Sequence, residues 1–100
     1  MERKDVNENK EDKISFIKIK SLNLIIKNTL NNNGVVVEET NNNPKLLKGD
    51  IIKEVNREIV SDSQNFTLLV KGFEESGRSS LLLKVLRKEK SLWITIKFDK

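Results

Sequence analysis

From Met1 to Lys13 the chain is charged and Asn-containing, with Val6 isolated and no hydrophobic period. Such a run buries too little apolar surface to offset its ordering entropy, so residues 1–13 read as a flexible linker or tail. At Ile14 the pattern changes. Ile14, Phe16, Ile17 and Ile19 stand among Lys18 and Lys20, which predicts a strand with an irregularity at Phe16-Ile17. Leu22, Leu24 and Ile26 then recur at period two, with Ser21 and Asn23 allowing a tight turn just before the strand. Asn31-Asn32-Asn33-Gly34 is a loop, Val35 to Thr40 a β-branched strand, and Asn41 to Pro44 a second loop. Ile51 to Val55 and Glu58 to Val60 form two further strands across Asn56-Arg57. That turn asks for Gly at its second position, so Arg57 carries strain there.

Ser61 to Gly77 predicts the one helix. Ser61 and Gln64 have capping-box spacing, Phe66, Leu69, Val70 and Phe73 form a stripe at i, i+3, i+4, i+7, and Gly77 ends it. The stripe reads as a helix covering a sheet. Leu81, Leu83 and Val85, then Leu92, Ile94, Ile96 and Phe98, define two closing strands around Lys88-Glu89-Lys90. The sum is an α+β domain over residues 14–99, with about six short strands and one capping helix.

Composition narrows the chemistry. The 100 residues are 36% hydrophobic and 34% charged, with a formal charge of +4 spread over interspersed acidic and basic side chains, as on an ordinary solvated surface. The chain has no His and no Cys, so an imidazole base, a thiol nucleophile, a disulfide and a His or thiolate zinc site are all excluded. Glu38-Glu39 are neighbours on a strand and point to opposite faces, Glu74-Glu75 sit where a helix dipole disfavours them, and Asp50 reads as a loop anchor. The four glycines are too dispersed for a phosphate loop. No enzyme, metal or cofactor is expected of these residues. No apolar run reaches the roughly 20 residues of a membrane span, and no export signal is expected at the N-terminus. Nucleic-acid binding would want aromatics on a sheet face. Only Trp93 lies on a polar face, near Lys84 and Lys97, where it serves either as a contact or as cover against the N-terminal strand.

What this composition does suit is recognition by backbone. A strand over Leu24 to Ile26 that starts at a tight loop and faces a helix leaves a groove to which an extended peptide adds as one more strand. Amides at Leu22-Asn23-Leu24 offer a nest for a terminal carboxylate.

The residues that express this plan resemble a known family. Gly34-Val35-Val36-Val37-Glu38-Glu39-Thr40, Pro44, Lys48-Gly49-Asp50-Ile51-Ile52-Lys53-Glu54-Val55-Asn56, the helix with Asn65-Phe66 and Leu69-Val70, and Leu81 to Arg87 are similar to bacterial PDZ domains. The match is best to the HtrA/Deg (Do-like) periplasmic serine proteases, in particular their second, C-terminal PDZ domain. The resemblance spans about Ser21 to Phe98. It implies a small, partly open β-barrel or sandwich capped by one helix, and a non-catalytic module of a serine endopeptidase engaged in protein quality control. It also implies a periplasmic location. Its partners would be C-terminal or unfolded polypeptide segments and other domains or subunits of the protease, with no nucleic acid and no membrane insertion. The peptide-binding residues implied are Leu22, Asn23, Leu24, Ile25 and Ile26 at the loop and groove strand, and Ser63, Thr67 and Val70 on the helix. Three positions depart from the family. Asn23 replaces the loop Gly, 41–50 is shorter, and Arg57 replaces the hairpin Gly. The alternatives are a docking domain of a secretion or protease assembly that binds no peptide, and a small nucleic-acid-binding β domain.

Overall fold

Strict alternation of buried and exposed side chains organises one antiparallel sheet in the computed structural model, which describes residues 16–40 and 45–98. The readings of residues 1–13, of Ile14 and of the Asn41–Pro44 loop lie outside the described residues. Strand β1 (Ile17–Ile19) leads through a 3-10 turn (Lys20–Leu22) into β2 (Leu24–Asn28), followed by β3 (Val35–Thr40), β4 (Ile51–Val55) and β5 (Glu58–Ile59). Helix α1 (Ser63–Glu75) precedes β6 (Ser80–Arg87) and β7 (Lys90–Lys97). The sheet order is β1-β2-β3-β4-β6-β7, with β5 a short partner of β4. Among the described residues that makes seven strands against the six or so expected, and the sheet stays open, with β1 and β7 at its margins.

Leu81, Leu83 and Val85 of β6 and Ile94 and Ile96 of β7 all turn inward, as period-two patterning dictates, and the hairpin is paired along its whole length from Ser80↔Lys97 to Arg87↔Lys90. Leu22, Leu24 and Ile26 turn to the same core beside Val35, Val37 and Ile52. Helix α1 covers it with Phe66 and Val70, while Leu69 and Phe73 pack at its border. Trp93 stands opposite Lys84 on the outer face, with the ammonium 5.9 Å from its ring centroid.

Local chemistry moves some boundaries. The helix starts one residue later than the capping-box spacing predicts. Asp62, not Ser61, is the cap, and it accepts from the Asn65 N–H at 2.8 Å, while Asn65 Oδ1 accepts from the Ser61 N–H at 3.0 Å. Ser61 is held in the preceding extended segment, where its carbonyl accepts from the Gly34 N–H. Register shifts fall at Ile25/Ile26 and Ile52/Glu54. The β4–β5 turn puts Asn56 at φ 48 and Arg57 at φ 71, and the β6–β7 turn repeats this with Lys88 at φ 50 and Glu89 at φ 72. Left-handed backbone costs an ordinary L-residue about 1–2 kcal/mol. Part of this is returned by the stiffer unfolded chain, so Arg57→Gly and Glu89→Gly are each expected to stabilise the domain by about 0.5–1 kcal/mol in urea melts.

Candidate functional site

Asn23 is the hinge on which the N-terminal hairpin turns. It adopts φ 55, ψ 44, the left-handed conformation that Asn tolerates better than most residues, and its N–H donates to the Lys20 carbonyl to close the 3-10 turn. The turn reverses the chain so that β1 runs antiparallel along β2, with Ile17 opposite Ile26, Lys18 opposite Ile25 and Ile19 opposite Leu24. The other margin of β2 is paired with β3 from Leu24↔Thr40 to Asn28↔Val35. Both sides of β2 are therefore filled. The open sheet edge expected at Leu24 to Ile26 is instead occupied by the preceding strand, because Ile17 and Ile19 carry the same alternation as β2 and a short turn makes the pairing local.

The eight residues singled out from the sequence fall into two groups. Leu22, Leu24 and Ile26 are fully buried and belong to the core, Ile25 is half-buried on the opposite face of β2, and the Asn23 amide is engaged in its turn. On the helix, the Ser63 N–H donates to Asn28 Oδ1 at 2.6 Å, which ties the helix start to the end of β2, and Thr67 Oγ1 donates to the Ser63 carbonyl at 2.7 Å. Thr67 and Val70 then line a cleft of about 440 Å³ whose opposite wall is Lys18, Ile19, Lys20 and Ser21. Lys71 and Glu74 complete its helical side. Thus β1 and the turn after it lie across the cleft from Thr67 to Glu74, while β2 meets the start of α1 at its Asn28 end. The signal for these further wall residues was the Lys-Ile-Lys-Ser segment next to a turn, which alternation marks as a strand but does not assign to an edge.

The strand holds its place by a small margin. Ile19 is 6% exposed, Ile17 is packed at the core border, Lys18 is exposed and Phe16 is half-exposed. Burying one Ile contributes roughly 1.5–3 kcal/mol, whereas ordering each residue costs roughly 1–2 kcal/mol. A three-residue strand is thus close to balance.

An open antiparallel sheet with one helix set beside its β2 end is the architecture of PDZ domains, and the chain has the PDZ fold. The PDZ domain of EpsC from Vibrio cholerae superposes with a TM-score of 0.57 at 17% identity, over 81% of this chain and 100% of that one. The HtrA3 PDZ domain, solved bound to a phage-derived ligand, FGRWV, gives a TM-score of 0.60 at 24% identity, over 85% of this chain and 88% of that one. No protein-family model matches the chain. No curated protein matches it either.

Proposed function

We propose that the chain is a non-catalytic, peptide-binding PDZ module of an HtrA-type serine protease, the second PDZ domain of that protein. It recognises polypeptide termini by strand addition and contributes to regulation or subunit assembly. The observation that carries this reading is the acceptance of an extended segment on the outer margin of β2, next to α1, in the register Ile17↔Ile26 and Ile19↔Leu24. Main-chain pairing of this kind supplies affinity, and the alternate side chains supply specificity. The ligand-bound HtrA3 domain, similar in fold, supports peptide as the partner class. Lys71 on the helical side of the cleft suits a terminal carboxylate, which forms charge-assisted hydrogen bonds with an ammonium group. Among the described residues no helix is long and apolar enough to cross a membrane. The family resemblance supports a periplasmic location for the parent.

The occupied margin of β2 favours a second reading, a docking domain that binds no free peptide. Titration of the isotopically labelled chain with the pentapeptide FGRWV separates the two. Peptide capture predicts backbone shifts concentrated in residues 17–28 and on the Ser63–Glu74 face of α1. Shifts confined to β6 and β7, or none at millimolar peptide, would reject peptide capture in favour of docking.

A further inference from the structure

Strand β1 enters the slot as a ligand would. It is extended, runs antiparallel to β2, and ends at the turn that would receive a chain terminus. Its side chains divide as a bound peptide's would, with Ile17 and Ile19 turned to the core and Lys18 to solvent. It differs from a ligand only in being covalently continuous with the strand it covers. Among the described residues three pair, and one of them, Ile19, is buried. Short, sparsely packed margin strands open far more readily than the sheet interior. Leu22, by contrast, is fully buried on the far side of the turn, so opening is confined to the residues before it.

We propose that β1 is a built-in occupant of the recognition slot. Partners are extended chains with an aliphatic-x-aliphatic pattern, which bind by displacing it. The inference rests on the peptide-capture reading and adds a gate and a side-chain preference to it. The gate follows from competition: the slot is open only in the fraction of molecules whose β1 is released, and apparent affinity falls by that fraction. The preference follows from shape, because an incoming chain must refill the space that Ile17 and Ile19 leave. Aliphatic residues two apart do this while the residue between them faces water.

The chain has no cysteine, so a designed pair reports on one contact alone. Lys18 and Ile25 are directly opposed on the solvent side of the hairpin, and directly opposed strand positions lie within the span a disulfide bridges. The probe is a labelled Phe-Ile-Lys-Ile peptide, the sequence of residues 16–19 supplied in trans, followed by fluorescence anisotropy. Reduced K18C/I25C is expected to bind it, and the oxidised form to bind at least tenfold more weakly while melting no lower. Ile17→Ser, which loosens β1, is expected to bind severalfold more tightly than the unaltered chain, and a Phe-Lys-Ile-Ile control more weakly. Equal affinity of the oxidised and reduced forms would overturn the gate and leave peptide capture standing. Equal binding of the two peptides would overturn the preference. If neither form binds Phe-Ile-Lys-Ile, the inference is overturned, while the FGRWV titration judges peptide capture separately.

Discussion

Gly34→Ala is expected to cost about 3 kcal/mol of folding stability, at the upper end of what a strained backbone position stores. Gly34 has φ +103, a conformation that L-residues rarely adopt, and a Cβ built there would lie 2.7 Å from the Ile52 carbonyl oxygen and 3.1 Å from the Ile51 Cγ2. The nearest obstacle is backbone in a central strand and cannot swing aside. The damage reaches the slot as well. Gly34 opens β3, which pairs Val35 with Ile52, and its N–H donates to the Ser61 carbonyl at 3.1 Å. Ser61 lies just before the Asp62 cap, so moving β3 away from β4 also moves the start of α1 relative to Asn28. Urea denaturation followed by Trp93 fluorescence measures the effect. A loss below about 1 kcal/mol would mean that the strand relaxes around the methyl group.

Asp50→Asn is expected to cost about 2–3 kcal/mol and to change how the domain responds to acid. Asp50 is 2% exposed. Its Oδ2 accepts from the Leu47 N–H at 2.9 Å and from Arg87 Nη2 at 2.7 Å, and its Oδ1 accepts from Arg87 Nε at 2.8 Å. Arg87 Nη2 also donates to the Lys45 carbonyl. The cluster therefore ties the segment between β3 and β4 to the end of β6 and seats Leu46 in the core. Asparagine would keep the shape but turn an amide donor towards a guanidinium or a backbone N–H. Burial pushes the Asp50 carboxyl up, but the Arg87 hydrogen bonds, the Leu47 N–H and the Arg87 charge together hold it below its ordinary value. Because its folded pKa is the lower one, its stabilisation is complete above the unfolded value of about 3.9 and disappears as pH falls through the folded value. Between about pH 5 and pH 2 the unaltered domain should lose stability more steeply than Asp50→Asn. Parallel stability–pH profiles would rule out this linkage.

Strands whose alternation is strict could be read from the sequence nearly to the residue. Leu81-x-Leu83-x-Val85 and Ile94-x-Ile96 each have one buried face, and a slip of one position would invert every side chain. The strained turn at Arg57 was equally plain, because two strands two residues apart leave only a turn with positive φ at both positions. Pairing across the sheet was not legible in the same way. Ile17-Lys18-Ile19 has the alternation of an edge strand but nothing in it names the edge it joins, and the answer came from Asn23 folding it back onto β2. Hence Leu22, Leu24 and Ile26, whose period fits a pocket lining as well as a core, are core. On the helix, Thr67 and Val70, which the family resemblance implies as groove residues, line the cleft beside β1. The cap moved from Ser61 to Asp62 because both can cap, and only the tertiary bond from Gly34 decides between them. Asp50 was anticipated as an anchor of its own loop, but its second partner, Arg87, lies 37 residues away and carries no local signal.

The central claim is that the outer margin of β2, beside α1, is where a partner chain docks. Intermolecular nuclear Overhauser contacts in a complex with FGRWV test it most directly. The account predicts contacts from peptide amides to Leu24–Ile26, with those between β1 and β2 lost. Peptide contacts along β7, or along β1 while β1 stays paired with β2, would contradict it.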